Sequence, residues 1–312
     1  PLNVTIDGDG VEIYLGKAGG ASLITVESNI TLTLRNITFK GTTGNNHSLI
    51  KVDSGGTLIL GDGAVIRGNT TVSENGGGVL VVGTLILRGG TICKNTAEAN
   101  EGGGGVYVAP NGTFTMERGT ICGNNGKSRS AGGGGGVYVA EGGTFIMEGG
   151  TISKNTAEAN GGGGGGGVHI GKGGTFIMEG GVISGNKGDL EDENPPQGYF
   201  TAGAAVLVNA NSNFTKTGGT IYGLDAGENA NRIIAKNTVF MRPNGVLMPV
   251  PESVICVVDD SNIGFAKPYL YYNHTLDDTA TGQVSYTGKG GSGEGTYSWG
   301  DTNHPWMGPL FQ

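Results

Sequence analysis

The sequence predicts an all-β protein that folds as a parallel β-helix, a solenoid of about eight stacked coils with a cap at each end. Three observations support this fold class. One unit recurs along the chain, apolar and polar residues alternate within it, and glycine marks its corners. We expect an N-terminal cap over residues 1–21, β-helix repeats over 22–253, and an aromatic-rich C-terminal cap or small accessory region over 254–312.

The repeat is clearest in four central units. Each contains a strand of the type TFIM, a glycine corner and a strand of the type TIS, and a short apolar strand such as VYV precedes it. Weaker copies begin near residues 30, 56 and 212. The central units are GTLILRGGTICKN (83–95), GTFTMERGTICGN (112–124), GTFIMEGGTISKN (143–155) and GTFIMEGGVISGN (174–186).

Alternation with a period of two is typical of strands that bury one face. Because like residues recur at the inward positions, we expect each unit to form one coil of three short strands, stacked ~4.8 Å from the next coil. The inward column of the second strand is Leu32, Leu58, Leu85, Phe114, Phe145, Phe176 and Phe214.

Composition excludes several classes of protein. Glycine supplies 65 of the 312 residues, and the repeat assigns many of them to corners that need positive φ. Charged residues make up 15% and the net charge is −8, so we expect no nucleic-acid partner. No apolar run reaches the roughly 18 residues of a membrane span, so no transmembrane segment is predicted.

The repeats resemble those of right-handed parallel β-helix proteins of the pectin-lyase-like type. They are more similar to the GTL/F-x-M-x-GGTISxN and GGGVYV repeats of large bacterial and archaeal adhesin-like surface proteins. This resemblance covers about residues 22–222. It implies a right-handed β-helix that is secreted or displayed on the cell surface, has a structural or adhesive role without catalysis, and binds a surface glycan or a protein.

Asparagine falls three residues after the inward isoleucine in five consecutive units. Asparagine tolerates left-handed backbone, and its amide can bond to the neighbouring coil. We therefore predict a structural asparagine ladder of Asn69, Asn95, Asn124, Asn155 and Asn186.

The outward column of the first strand includes Tyr107, Tyr138 and His169. Two interpretations remain open for these rings: they bind a saccharide, or they form an aromatic ladder packed by glycine-rich insertions. These insertions follow each asparagine at the same corner, and we expect flexible or polyproline-like spacing in runs such as 161–167.

A second outward column consists of Glu117, Glu148 and Glu179. Carboxylates about 5 Å apart occur in retaining glycosidases, but these acids recur simply because the repeat recurs. They are ligand-binding candidates rather than catalytic ones. Columns of the type T-x-T/I on the same strands form a flat, almost uncharged face. Three interpretations remain open: β-branched residues that simply suit strands, a contact surface for a protein or a second copy, and an ice-facing surface that the columns resemble.

A polysaccharide lyase or glycoside hydrolase is the main alternative function. Its cleft would follow the outward first-strand column and the insertion over 186–205. The motifs NTD, GHG and RIK, which are typical of polygalacturonases, are absent from the sequence. The motif G-x-S-x-G is absent as well. Catalytic residues therefore remain unknown.

The longest insertion carries an acidic run of hard oxygen ligands that could hold Ca²⁺, and we expect no other cofactor. Its spacing differs from that of an EF-hand loop. The candidate metal ligands are Asp189, Glu191, Asp192 and Glu193.

Both tryptophans, Trp299 and Trp306, lie in the C-terminal region. This region either covers the open end of the β-helix or supplies aromatic platforms for sugar rings. A further alternative is a homo-oligomer or filament whose subunits stack end to end.

Two of the three cysteines, Cys93 and Cys122, occupy equivalent positions in neighbouring units. Stacked coils would bring their Cα atoms within the range of a disulfide. A bridge and a free pair of thiols both remain open, and Cys256 has no visible partner.

Overall fold

The computed structural model describes residues 1–16, 19–99, 101–128, 133–159, 164–190, 203–209, 211–235, 239–241, 247–249, 254–259, 267–272, 274–280, 282–287 and 294–297. Over these residues the chain is all-β and folds as a parallel β-solenoid, which confirms the predicted fold class. The solenoid has about six turns rather than about eight. The predicted number is too high because the first turn lacks a strand of the third sheet, which begins at Thr70, and an antiparallel pair, Val239–Met241 with Leu247–Pro249, occupies the C-terminal part of the repeat region.

Three sheets run the length of the solenoid, and parallel strands from successive coils build each of them. Sheet 1 contains the second and third strands of the coils: Leu2–Tyr14, Ile30–Lys40, Thr57–Leu60, Val65–Arg67, Thr84–Cys93, Thr113–Cys122, Thr144–Met147, Thr151–Ser153, Thr175–Met178, Val182–Ser184, Asn213–Lys216 and Thr220–Ile221. Sheet 2 contains the first strands: Ile24–Val26, Ile50–Val52, Val79–Val81, Val106–Val108, Val137–Val139, Val168–Ile170, Val206–Val208 and Ile255–Asp259.

Sheet 3 is built from a fourth strand of each coil, which the sequence did not predict. Its strands are Thr70–Thr71, Thr96–Ala99, Asn125–Ser128, Thr156–Ala159, Lys187–Leu190 and Arg232–Ala235. They begin directly after the asparagines, where insertions were expected. Ala97 and Ala157 point inward and are fully buried, so the alternation is present but is carried by small side chains. Each complete coil therefore has four strands instead of three.

Identical residues stack in register between coils. Phe114 pairs with Phe145, and Phe145 pairs with Phe176. Their ring centroids are 4.6 and 4.7 Å apart with nearly parallel planes, and all three side chains are fully buried. Such columns explain why the repeat keeps the same residue type at each inward position.

The N-terminal end of sheet 1 is an exposed strand. Leu2–Tyr14 pairs in parallel with Ile30–Lys40, and Leu2, Val11 and Tyr14 are more than half exposed. In the described part of the chain, this strand has no neighbour on its outer side.

Antiparallel strands cover the other end. Gly282–Thr287 pairs with Asn213–Lys216 and with Glu294–Tyr297, and Lys267–Tyr272 pairs with Ile255–Asp259. A two-stranded antiparallel sheet consists of Val239–Met241 and Leu247–Pro249, and a 3-10 helical segment spans Leu224–Asn229.

A buried lysine holds part of this end in place. Lys216 occupies the position of Met178 in the preceding coil and is fully buried. Its Nζ donates hydrogen bonds to the carbonyl oxygens of Asp277 (2.6 Å) and Ala280 (2.8 Å). Burial lowers the pKa of Lys216. The segment 274–280 thus packs over the last regular coil.

Candidate functional site

The asparagines form a continuous buried ladder along one corner of the solenoid. All five asparagines of the predicted ladder are at most 1% exposed. Asn45 and Asn231 extend the ladder at its two ends. The sequence did not predict these two because they lie outside the clearest repeats.

From Asn95 onward, each ladder asparagine satisfies two backbone groups of the preceding coil. The side-chain oxygen of Asn124 accepts from the backbone N–H of Asn95 (3.0 Å), and its Nδ2 donates to the carbonyl of Ile92 (2.9 Å). Asn155 repeats both bonds one coil later, with Asn124 N–H and the carbonyl of Ile121 (3.0 Å each). With these bonds satisfied inside the protein, the ladder is structural rather than a ligand site.

The aromatic column of the first strand is also buried. Tyr107 and Tyr138 are 7% and 6% exposed, and His169 is 1% exposed. The two tyrosine rings stack at 5.3 Å, and His169 lies 4.7 Å from Tyr138. A sugar ring needs an open aromatic face, so this arrangement agrees with a packed aromatic ladder and not with a binding groove.

Glycine segments from successive coils cover this aromatic column. They pair through their backbones, as in Gly77 N–H to Gly103 O (3.0 Å) and Gly135 N–H to Gly165 O (2.9 Å). A Cβ atom at Gly103 would lie 3.0 Å from Cβ of Tyr107. We call the segments 76–78, 102–105, 133–136 and 164–167 the glycine ladder. Over residues 164–167 the expectation of a flexible spacer is therefore wrong, because the backbone is paired and closely packed.

His169 gives the glycine-covered column a pH dependence. Burial lowers the pKa of His169 to about 4, although a polar contact with the backbone of Gly133 and a hydrogen bond with the side chain of Asn209 partly oppose this effect. The unfolded chain therefore binds a proton near pH 6.5 that the native protein takes up only near pH 4. The contribution of neutral His169 to the free energy of unfolding is complete above about pH 6.5. It is lost as the pH falls from about 6.5 to about 4.

Between pH 7 and pH 5 the wild-type protein should accordingly lose about 2 kcal/mol of unfolding free energy through His169. The His169→Leu variant replaces the histidine by leucine, which already occupies the same column at Leu80 and Leu207. Urea denaturation at both pH values should show a smaller loss in this variant. An equal loss in the two proteins would contradict the assigned role of His169.

The glutamate column faces outward on sheet 1. Glu117 is half-buried, whereas Glu148 and Glu179 are exposed. Arg88 Nε donates to both carboxylate oxygens of Glu117 (2.8 and 3.0 Å). The column therefore begins with an ion pair at the edge of a polar pocket.

This pocket lies on the outward face of sheet 1 and has a volume of about 370 Å³. Guanidinium groups of Arg35, Arg88 and Arg118 line it. Gly61 falls between Arg35 and Arg88 along the coils, and a Cβ atom there would lie 3.0 Å from Cγ of Arg35. The Arg35 side chain therefore packs over Gly61, where no side chain stands. We call the cavity lined by these residues the arginine pocket.

The remaining walls of the arginine pocket are also polar. Asn36 Nδ2 donates to the carboxylate of Asp7 (3.0 Å), and Arg118 pairs with Asp62 at 3.2 Å. Thr33 and Ile59, from the predicted T-x-T/I columns, belong to the lining. Arg35 is exposed and forms no ion pair among the described residues. The pocket thus offers cationic donors, an amide and carboxylate acceptors within the space of a small polar ligand.

Several predicted candidates lie outside the described residues: Trp299, Trp306, Glu191, Asp192 and Glu193. The backbone of Asp189 lies in the strand Lys187–Leu190. Within the described ranges, no three His, Cys, Asp or Glu residues cluster closely enough to hold a metal ion. The calcium site therefore stays a prediction.

The fold and these surfaces define a parallel β-solenoid with packed ladders and, among the described residues, a polar pocket on an outward sheet face. The chain matches no protein-family model, no curated protein and no solved structure. Among the described residues, no helix has the length and apolar character needed to cross a membrane.

Proposed function

We propose that the chain is a secreted or cell-surface β-solenoid module with a structural and adhesive role, and that it binds a surface glycan through the arginine pocket. The observation that carries the proposal is the position of this pocket. It is a polar concavity on an outward sheet face, lined by three guanidinium groups and two carboxylates.

The chemistry of the lining suits a saccharide. Guanidinium and amide groups donate hydrogen bonds to hydroxyl and carboxylate oxygens, and the carboxylates of Asp7 and Asp62 accept from hydroxyls. Arg35 can bind a ligand without first breaking an ion pair to a described residue. The hydroxyl of Thr33 and the apolar side chain of Ile59 add the mixed surface that sugars contact.

The rigid scaffold supports a structural role. Columns of phenylalanine and asparagine run through successive coils with the same contacts, so one coil holds the next in register. The resemblance of the repeats to adhesin-like surface proteins favours the same role. This solenoid would present the pocket at a fixed distance from its point of attachment.

The enzyme alternative has less support because the tyrosines and histidine of its expected cleft are buried beneath glycine. The filament alternative, in which subunits stack end to end, also has less support. Antiparallel strands cover the C-terminal end of sheets 1 and 2, where the next subunit would stack. We therefore expect no turnover of bound glycans.

The test is calorimetric titration with a panel of neutral and acidic oligosaccharides. For glycans that bind the wild type, Arg35→Ala should weaken affinity at least ~10-fold, since a charged hydrogen bond is lost. The matched control is Arg232→Ala, which removes an exposed arginine outside the pocket lining and makes the same change in charge. Unchanged affinity in Arg35→Ala would contradict the pocket assignment, and no binding across the panel would contradict glycan recognition.

A further inference from the structure

The two cysteines of sheet 1 lie side by side on neighbouring coils. Cys93 and Cys122 are direct register partners in the parallel strands Thr84–Cys93 and Thr113–Cys122. Both are free and partly exposed. Adjacent strands lie ~4.8 Å apart, which is within the Cα separation that a disulfide accepts.

Cationic side chains surround this pair. Arg67 is the register partner of Cys93 on the preceding coil. Lys94 and Lys154 follow the third strands of two coils, both with left-handed backbone (φ 55° and 56°), and the coil between them has Gly123 at the equivalent corner. These positive charges favour a thiolate over a neutral thiol.

The two thiols have different acidities. A hydrogen bond from Cys93 and the charges of Lys154 and Lys94 lower the pKa of Cys122 to about 7. The same contact, together with burial, raises the pKa of Cys93. Because the two cysteines are register partners, one thiol can attack and the other can resolve the intermediate. We assign the attack to Cys122, on which the charges of Lys94 and Lys154 both act.

We propose that Cys93 and Cys122 form a dithiol exchange site that reacts with small disulfides and closes into a disulfide between two coils. The thiolate of Cys122 attacks one sulfur of the small disulfide, and the other sulfur leaves as a thiolate. Cys93 then loses its proton and attacks the sulfur of Cys122, releasing the second small thiolate. The small disulfide is reduced to two thiols while the two cysteines are oxidised.

The closed form would link residues 93 and 122 across neighbouring coils. In an oxidising extracellular environment this form would predominate. Cys256 should not take part, because it lies in sheet 2 and is 1% exposed. The inference does not depend on glycan binding, and either proposal can fail without the other.

The experiment is incubation of the full chain with oxidised glutathione at neutral pH, followed by intact-mass measurement and peptide mapping. The wild type should lose two hydrogens and yield a peptide pair joined through Cys93 and Cys122. The Cys93→Ser variant should instead keep a glutathione adduct on Cys122, because no resolving thiol is present. The Cys122→Ser variant should react several-fold more slowly than Cys93→Ser.

Serine is a suitable replacement, since Ser153 and Ser184 continue the same column in the next two coils. Thermal unfolding gives a second measurement: oxidation should raise the melting temperature of the wild type by several degrees and leave that of Cys93→Ser unchanged. A stable glutathione adduct on the wild type, a covalent dimer, or a protein that stays fully reduced would overturn the proposal.

Discussion

Replacing Asn124 by alanine is expected to lower the free energy of unfolding by about 3–5 kcal/mol. The side chain is 1% exposed. Its removal leaves the backbone N–H of Asn95 without its acceptor and the carbonyl of Ile92 without an amide donor. Each buried backbone group that loses its partner costs about 1–3 kcal/mol, and a small cavity adds to the loss.

Urea denaturation monitored by circular dichroism measures this effect. Asn213→Ala is the matched control, because Asn213 lies in a strand of sheet 1 with its side chain exposed. The control should change stability by less than about 0.5 kcal/mol. Similar small effects in both variants would mean that the ladder does not hold the coils together.

Gly135→Ala is expected to lower the free energy of unfolding by about 3 kcal/mol, which is the upper end of the usual penalty for overpacking. A Cβ atom at this position would lie 2.3 Å from the carbonyl oxygen of Gly166 and 2.5 Å from that of Thr156. Both are backbone atoms of the next coil and cannot move without disturbing the glycine ladder. The strain is therefore shared between two coils.

Gly20→Ala provides the comparison for this prediction. No heavy atom lies within 4 Å of a Cβ placed at Gly20, so its melting temperature should match that of the wild type. The melting temperature of Gly135→Ala should fall by several degrees. A normal melting temperature for Gly135→Ala would show that the glycine segments are loosely packed in solution.

The sequence allowed the first three strands and the inward columns to be predicted, because large apolar residues recur there with a period of two. The fourth strand was missed because alanine and glycine fill its inward positions, as at Ala97 and Gly126. Small residues give a weak hydrophobic pattern. The glycine ladder was missed for a related reason: glycine suggests flexibility until its backbone partners are known.

The arginine pocket could not be predicted from the repeat. Arg35 and Arg88 each directly follow the second-strand motif, whereas Arg118 lies one residue further on, where the register shifts after Met116. The signal that was present is Gly61, which interrupts the column between Arg35 and Arg88. The lining residues come together only when the neighbouring coils are stacked.

The most direct test of the proposed function is a crystal structure of the chain with the oligosaccharide that binds most tightly in the panel. We expect a sugar ring in the arginine pocket, with its oxygens within about 3.5 Å of the guanidinium of Arg35 and the side-chain amide of Asn36. A sugar bound elsewhere, for example beside Trp299 or Trp306, with no ligand in the arginine pocket, would contradict the proposed function.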